Sequence, residues 1–467
     1  MSTTTLSGAV SINPATGELI ASYPFADEAG LREVLDRATG GFRQWRAYTP
    51  AQRCAVFARM AGLLRRDAAM LAELLVAEVG KPITQSRAEV AKAAAALDWY
   101  ADNGAALIAD VPTSIGPEAY VSYLPLGPVL AVEPWNFPVW QVMRGGIGIL
   151  LAGNSYVLKP APNVVGCALA LESLWQAAGL PEGTFSVLNA QPEVVSAAIA
   201  DPAIAGVTVT GSVAAGSAIA AQAGSAVKRS VLELGGTDAL IVLADADLNA
   251  AVEAAVTGRF QNTGQICIAS KRIILEKPVA AEFTSRFVAK VAGLQVGDPR
   301  DESTYIGPIA RADIRDEIEA QVSRTVAEGA RLLLGGNRLD GPGNFFEPTV
   351  LAGVRPGMTA FEEEIFGPVA ALVTAEDPED AIALANNSQY GLSASLWTRD
   401  TRRAAEFARR LEVGGVFINK PSVSDPRIPI GGVKKSGFGR ELSAYGVHEF
   451  TNIQAVWIND PAGHAEN

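Results

Sequence analysis

From residue 128 onward, short apolar segments alternate with helix-like segments, and this alternation constrains the fold more than any other feature. The first series has candidate strands at residues 129–132, 155–158, 185–188 and 206–209, with helices at 164–178, up to about 200, and 213–222. A second series follows, with strands at 239–243 and 272–275 and helices at 248–260 and 279–292, and further units continue to residue 419. Short apolar strands alternating with helices are typical of doubly wound parallel sheets. The sequence therefore predicts an α/β fold.

The region before residue 128 has a different pattern. Its Ala/Leu-rich stretches carry apolar residues at three- and four-residue spacing, which predicts helices at residues 28–48, 51–79 and 86–108. Residues 112–128 contain Pro, Gly, Ser and Tyr and alternate in character, so they are predicted to form a strand or hairpin. Near the other end, residues 448–458 are predicted as a strand and 461–467 as a disordered tail.

Composition excludes several classes of protein. A length of 467 residues predicts two or three domains, and a net charge of −12 argues against binding to nucleic acid or to a membrane surface. The 3 Cys and 2 His residues fit neither a disulfide framework nor a metal site. The N-terminus lacks the features of a signal peptide, and the longest apolar runs, such as 145–153, are too short to span a bilayer. We therefore expect a soluble, cytoplasmic protein without a bound metal.

Two motifs follow directly after candidate strands, where ligands bind in open α/β sheets. Asn136, within residues 134–138, carries an amide that could donate to an oxyanion. Lys159, within residues 158–162, could bind a ribose hydroxyl or a phosphate. A Pro-bounded turn and a solvated loop lysine are the alternative interpretations.

Two further motifs have the same ambiguity. Gly211 and Ser212 lie between a strand and a helix, where backbone N–H groups can bind phosphate, although a plain turn with a Ser helix cap explains them equally well. Glu233 is embedded in an apolar strand, and burial would raise its pKa and suit it to general-base catalysis. An acid at a domain boundary is the alternative.

Cys267 lies among small and polar residues and is a plausible nucleophile, with no histidine nearby in the sequence to activate it. Cys54 and Cys167 are expected to be buried or bystander thiols. The order of Asn136, Lys159, the 210–216 turn, Glu233 and Cys267, together with segments 362–368 and 431–441, closely resembles the aldehyde dehydrogenase superfamily over nearly the whole chain.

The resemblance implies a particular architecture. It comprises a Rossmann-like cofactor domain (residues 1–111 and 127–233), an α/β catalytic domain (234–432) and a small β oligomerisation element (112–126 and 447–460). By the same resemblance, the chain is expected to form a homodimer or homotetramer.

The resemblance also assigns catalytic roles. Cys267 would attack the carbonyl carbon of an aldehyde, and the Asn136 amide with the Cys267 backbone N–H would hold the oxyanion. Glu233 would activate the water that hydrolyses the resulting thioester.

NAD or NADP is the cofactor that the resemblance implies. One feature departs from the pattern of many NAD-specific members, which carry a Glu three residues after the lysine. This chain has Pro162 there, which removes a charge that would repel a 2′-phosphate. The residues matched to cofactor binding are Pro134, Trp135, Lys159, Gly211, Ser212, Gly216, Glu364 and Phe366.

Within the superfamily, the chain resembles succinate semialdehyde dehydrogenases. Arg144 and Ser424 match residues that bind the distal carboxylate of that substrate, which predicts oxidation of succinate semialdehyde to succinate. Some of those enzymes have a second arginine where this chain has Gln261, for which Lys420 and Arg427 could compensate. Alternatively, Arg144 is a structural helix residue.

Three other functions remain open. One is a broader aliphatic or aromatic aldehyde dehydrogenase. Another is a CoA-acylating member, which Glu233 opposes because such members generally lack that base. The last is an inactive structural relative, which the presence of Cys267, Glu233 and Asn136 opposes.

Overall fold

The computed structural model describes residues 8–459, so the predictions for the N-terminal segment and for the 461–467 tail lie outside the described residues. The N-terminal region is a hairpin, four helices and a second pair of strands. Its elements are β1 (Gly8–Ile12), β2 (Leu19–Pro24), α1 (Glu28–Trp45), α2 (Pro50–Arg66), α3 (Ala68–Val79), α4 (Ile83–Leu107), β3 (Val111–Thr113) and β4 (Gly116–Pro125).

Most of this region follows the sequence prediction, with two differences. The single helix predicted at 51–79 is wrong, because Asp67 leaves the helical conformation (φ −101°, ψ 16°) and separates α2 from α3. The hairpin of β1 and β2 was not predicted, since β2 is largely exposed and has no apolar alternation that would indicate a strand.

The next region forms the first large sheet. Strands β9, β8, β5, β6 and β7 are neighbours in that order, and all of them run parallel. This order confirms a doubly wound parallel sheet. The elements are β5 (Val129–Glu133), α5 (Trp140–Ala152), β6 (Tyr156–Pro160), α6 (Val165–Ala177), β7 (Phe185–Val187), α7 (Pro192–Ala200), β8 (Gly206–Thr210), α8 (Val213–Ser225) and β9 (Arg229–Glu233).

A second large sheet follows. Its elements are β10 (Ala239–Val242), α9 (Leu248–Phe260), β11 (Arg272–Glu276), α10 (Lys277–Ala292), α11 (Ala312–Ala327), β12 (Arg331–Leu334), β13 (Thr349–Ala352), α12 (Thr359–Glu362), β14 (Val369–Ala375), α13 (Pro378–Asn386), β15 (Tyr390–Gly391), β16 (Ser393–Trp397), α14 (Thr401–Ala408) and β17 (Gly415–Ile418). The strand order is β12-β13-β14-β11-β10-β16-β17, and only β12 runs antiparallel to its neighbour.

The remaining elements are β18 (Val433–Lys434), β19 (Gly437–Phe438), α15 (Ser443–His448) and β20 (Thr451–Trp457). Strand β19 joins the first sheet and pairs antiparallel with β9, and β20 pairs with β4 in a three-stranded sheet of order β20-β4-β3. The predicted strand at 448–458 therefore begins too early, because His448 ends α15. The division into three domains stays a prediction.

Burial explains why the central strands read as continuous apolar runs rather than as alternating ones. Leu240, Ile241 and Val242 are consecutive and point to opposite faces of the second sheet, yet all are fully buried. Parallel sheets covered by helices on both faces have this property. None of the helices within residues 8–459 is long and apolar enough to cross a membrane.

Candidate active site

The candidate site lies where strands of the first sheet end. β5 ends at Glu133, just before the 134–138 motif, and β9 ends at Glu233. The carboxyl ends of parallel strands share one edge of a sheet, which is where ligands bind. Asn136, Glu233 and Cys267 come together there, in the wall of a cavity of about 240 Å³.

The loop before Cys267 has an unusual backbone. Asn262, Thr263 and Gly264 are consecutive and have φ values of 50°, 56° and 73°. Hydrogen bonds hold this turn: the Asn262 N–H donates to Gln85 Oε1 at 2.6 Å, and Thr263 Oγ1 accepts from the Gly307 N–H at 3.1 Å. Backbone in this region costs about 1–3 kcal/mol for a non-glycine residue and concentrates at functional sites. The turn therefore fixes the position of Cys267.

A buried arginine that the sequence analysis missed connects this loop to the second sheet. Arg259 Nε donates to Val369 O at 2.6 Å, and its Nη2 donates to Ile365 O at 2.9 Å and also to Gly367 O. Its Nη1 donates to Gly264 O at 3.3 Å. Burial lowers the pKa of Arg259 to about 9, so the side chain is still charged at neutral pH. Its only signal in the sequence is a charged residue on an otherwise apolar face of α9.

A close approach explains the glycine in the middle of that loop. A Cβ added to Gly264 would lie 2.3 Å from Gly367 O, so the loop and the 365–369 segment could not pack as they do. Both the positive φ and this contact require glycine at the position.

Asn136 is held by the loop before Cys267, residues 262–266, called the nucleophile loop below. Its Nδ2 donates to Gln265 O at 2.9 Å, and its backbone carbonyl accepts from Asn262 Nδ2 at 2.9 Å. An amide nitrogen carries two hydrogens, so one remains available to a ligand. The oxyanion role of Asn136 stays a prediction that this geometry permits.

Glu233 has the properties of a general base. The side chain is buried, and its Oε1 has no hydrogen-bond partner among the described residues. Burial raises the pKa of Glu233 to about 8; nearby Arg144 lowers the pKa and Glu441 raises it. A carboxylate with a pKa near 8 is matched to proton transfer near neutral pH.

The Cys267 thiol is half-buried, and its pKa is raised from the ordinary value of 9.0. Burial is the main cause; Arg144 and Lys271 oppose the shift, and Glu233 adds to it. Lys271 Nζ also donates to Cys267 O at 2.6 Å. The protein alone therefore keeps the sulfur protonated at neutral pH, so the thiol has to release its proton before the sulfur reacts.

Cys267 also lines a second cavity, of about 200 Å³. Arg144 and Ser424 lie in the wall of this cavity, as do Lys92 and Gln261. Cys267 thus lies in the wall of both cavities, and of the two only the second is lined by cationic side chains, Lys92 and Arg144.

Arg144 is more tightly held than the sequence suggests. Its Nε forms an ion pair with Glu441, and its Nη2 donates to Thr210 Oγ1 at 3.1 Å. Its Nη1 makes no hydrogen bond within the described part of the chain. The structural interpretation and the substrate-binding interpretation of Arg144 are therefore both compatible with its position.

Ser424 is buried and accepts two hydrogen bonds, from Lys92 Nζ at 2.7 Å and from Trp140 Nε1 at 3.0 Å. The two cations expected to compensate for Gln261 lie elsewhere. Lys420 is exposed, and Arg427 pairs with Asp425 at 2.7 Å with its side chain 69% exposed. Neither lines the cavity.

Six of the predicted cofactor residues line the first cavity: Pro134, Trp135, Gly211, Ser212, Glu364 and Phe366. The rings of Trp135 and Phe366 meet edge to face, with centroids 5.7 Å apart. Glu364 Oε1 accepts from the Gly236 N–H at 3.2 Å and pairs with Lys271 at 2.9 Å.

The other two predicted cofactor residues lie outside the lining. Lys159 is in the last part of β6, and its ammonium has no hydrogen bond to residues 8–459; burial lowers its pKa. Gly216 is buried inside α8, where an added Cβ would lie 2.5 Å from Leu234 Cδ2, so it allows the helix to pack closely on Leu234. The structure thus gives Gly216 a packing role.

These residues fit a dinucleotide. Helix α8 begins beside the cavity, with Ser212 Oγ accepting from the Ala215 N–H at 3.3 Å, and a Cβ at Gly211 would meet nothing within 4 Å. Open space before a helix N-terminus suits a pyrophosphate, and the unpaired Lys159 ammonium suits a ribose or its phosphate. Within residues 8–459, no group of three His, Cys, Asp or Glu side chains is placed to hold a metal ion.

Comparisons with known proteins agree with this geometry. The model of the aldehyde dehydrogenase family matches residues 2–456. An Escherichia coli succinate semialdehyde dehydrogenase (NAD(P)+) is 54% identical over 98% of this chain and 99% of its own. A Mycobacterium bovis succinate-semialdehyde dehydrogenase (NADP+) is 44% identical over 96% and 99%. A Streptococcus pyogenes succinic semialdehyde dehydrogenase, solved with NADP+, superposes with a TM-score of 0.94 at 35% identity, covering 97% of this chain and all of that one.

The environment of the thiol predicts how Cys267 reacts with iodoacetamide. Because its pKa is raised, alkylation should be slow at neutral pH and should accelerate above the ordinary value of 9.0. Glu233→Gln should move this acceleration to lower pH, since the carboxylate of Glu233 disfavours the thiolate. Mass spectrometry of the labelled peptide measures the rate, and the buried Cys54 and Cys167 serve as internal controls. Rapid labelling that does not change between acid and alkaline pH would contradict the raised pKa of the Cys267 thiol.

Proposed function

Because the chain belongs to the aldehyde dehydrogenase family, we propose that it oxidises succinate semialdehyde to succinate at Cys267, with NAD or NADP as the electron acceptor. The single observation that carries this proposal is the position of Cys267 between the two cavities. One cavity fits a dinucleotide, and the other holds cations that fit a carboxylate. The names of the relatives support the same substrate.

The residues of the site account for the chemistry. The Cys267 thiol releases its proton to solvent, and Sγ then bonds to the carbonyl carbon of the aldehyde. The free Asn136 N–H with the Cys267 backbone N–H stabilises the charge on the oxygen. NAD(P)+ held in the first cavity, beside Ser212 and Glu364, would supply the acceptor for the hydride that leaves that carbon. Glu233, with Oε1 free, then removes a proton from water, which hydrolyses the thioester and releases the carboxylic acid and the thiol.

Both forms of the cofactor are expected to be used. Pro162 begins a short 3₁₀ turn after β6 and puts no carboxylate near Lys159. A 2′-phosphate would therefore meet an ammonium without a repelling acid. The relatives named for NAD(P)+ and for NADP+ support this choice.

The alternatives are less well supported. A broad-specificity enzyme has no need for the cations around the second cavity. A CoA-acylating enzyme has no need for Glu233, which is buried beside the nucleophile. An inactive relative would not be expected to keep Cys267, Glu233 and Asn136 around one cavity.

We also propose that the chain forms a homodimer or homotetramer through the β20-β4-β3 sheet and works in the cytoplasm. β20 is an edge strand, and Ile453 and Trp457 on it are 55% and 72% exposed. Exposed apolar edge strands invite pairing with a second copy. Three free cysteines suit a reducing compartment. Light scattering of the purified chain tests the assembly.

Replacement of Glu233 should separate formation of the thioester from its hydrolysis. Glu233→Gln is expected to give a burst of reduced cofactor close to one equivalent and then stall, because hydrolysis of the thioester depends on the base more than acylation does. Rapid-mixing absorbance measures the burst and the steady rate. Cys267→Ala is the control and should show neither while still binding cofactor. An equal loss of burst and steady rate in Glu233→Gln would contradict the hydrolytic role.

The wild-type protein should discriminate strongly between aldehydes with and without a distal carboxylate. Recognition of a carboxylate by charged donors is worth about 1.5–3 kcal/mol per hydrogen bond, so kcat/KM for succinate semialdehyde should exceed that for butanal about 10-fold or more. Butanal has the same number of carbons and no charge. Steady-state kinetics with both aldehydes measures the ratio, and a ratio near one would favour the broad-specificity alternative.

Pro162→Glu should shift the cofactor preference towards NAD. The new carboxylate would repel a 2′-phosphate and accept hydrogen bonds from the ribose hydroxyls. The ratio of kcat/KM for the two cofactors measures the shift, with Pro162→Gln as the uncharged control. An unchanged ratio in Pro162→Glu would mean that the ribose is recognised by other residues.

A further inference from the structure

We propose that Lys92 binds the carboxylate of the substrate and determines the preference for acid-tailed aldehydes. This inference rests on the proposed function. Some succinate semialdehyde dehydrogenases have a second arginine at the position of Gln261, and Lys92 would supply a cation in its place. Lys92 lies on α4, far in sequence from every motif of the site, yet it lines the same cavity as Cys267 and Gln261.

The position of Lys92 follows from helix geometry. Residues four and seven positions apart share one face of a helix, and Gln85, Glu89 and Lys92 have this spacing. All three line the second cavity. Gln85 holds the nucleophile loop, and Glu89 accepts from the N–H groups of Val139 and Trp140, at 2.9 Å each, at the start of α5. Lys92 is the member of this row that supports no backbone.

The ammonium of Lys92 is oriented but has no counter-ion. Its Nζ lies 4.2 Å from the centroid of the Trp140 ring and donates to Ser424 Oγ at 2.7 Å. Among residues 8–459, no carboxylate lies within ion-pair distance of it. A partly buried ammonium that faces a cavity and has no carboxylate within ion-pair distance is suited to bind an anion.

Ser424 completes the site as a donor. Its oxygen already accepts from Lys92 and from Trp140 Nε1, and a hydroxyl oxygen has two lone pairs. With both engaged, its hydrogen is free to donate to a third partner. A carboxylate could accept from this hydroxyl and from Lys92 together, whereas an uncharged alkyl chain could use neither donor.

The two nearby carboxylates already pair with other cations, so they do not compete with a substrate carboxylate for Lys92. The ionisable groups close enough to affect the pKa of the Lys92 ammonium are Arg144, Glu89, Asp425 and Cys267. Glu89 pairs with Lys81, and Asp425 pairs with Arg427. Burial, with a contribution from Arg144, lowers the pKa of Lys92 to about 8. An incoming carboxylate would favour the charged form, and the charge is lost as the pH of the free protein rises through about 8.

The test compares succinate semialdehyde with butanal in the wild-type protein and in variants of the full chain. Lys92→Met should lower kcat/KM for succinate semialdehyde about 10- to 100-fold, mainly through KM, and leave butanal nearly unchanged. Lys92→Arg should restore most of the loss. Arg87→Gln, on the same helix but exposed and paired with Glu302, is the matched control and should behave as wild type.

The pH profile adds a readout that a purely structural role would not affect. The ratio of the two kcat/KM values cancels titration of Cys267 and Glu233, which act on both aldehydes. In the wild type this ratio should fall as the pH rises through about 8, and in Lys92→Arg the fall should disappear. A preference that survives in Lys92→Met, or an equal loss for both aldehydes, overturns the role of Lys92 alone. A wild-type ratio near one overturns the proposed function itself.

Discussion

The buried guanidinium of Arg259 is the interaction on which the geometry of the site depends. It extends from the end of α9 and donates both to the nucleophile loop, at Gly264, and to the segment that carries Glu364 and Phe366. Each hydrogen bond from a charged group contributes about 1.5–3 kcal/mol when its partner would otherwise be buried and unpaired. These bonds offset the strained backbone at 262–264 and fix the loop before Cys267 relative to the Glu364 and Phe366 side of the cavity.

A second buried charge organises the proton chemistry. Arg144 lies among Glu441, Glu233 and Glu133, and it lowers the pKa of Glu233 and of Cys267 while burial raises both. Without this cation, Glu233, the proposed general base, would remain protonated over a wider pH range. With it, the pKa of Glu233 stays at about 8, where the carboxylate can exchange protons. One arginine therefore tunes both reactive groups.

Much of the fold could be predicted from the sequence. The strand–helix alternation after residue 128 gave the parallel sheets because buried strands and amphipathic helices have distinct apolar patterns. The break at Asp67 and the hairpin of β1 and β2 were missed, because each depends on tertiary packing rather than on local pattern. The expected family is confirmed, since its motifs are local and their order is specific.

Residues of the site could be predicted only where they lie in a recognisable sequence motif. Cys267, Glu233 and Asn136 lie in recognisable segments, and the structure places them around one cavity. Arg259 and Lys92 lie on helices and look like ordinary charged residues until the tertiary structure brings them to the site. The cations Lys420 and Arg427 lie outside the second cavity, because sequence position does not show which way a side chain faces. Binding of the cofactor by Gly216 stays a prediction.

The pairing of β19 with β9 has a consequence for synthesis. Gly437 and Phe438 of β19 pair with Glu233 and Leu232 of β9. Just beyond the strands, the Ser436 hydroxyl donates to Gly235 O at 2.7 Å across a separation of 201 residues. Contacts this distant in sequence form late in folding. On the ribosome, Cys267 therefore emerges well before β19, and until the site closes its thiol keeps the ordinary pKa rather than the one that burial raises.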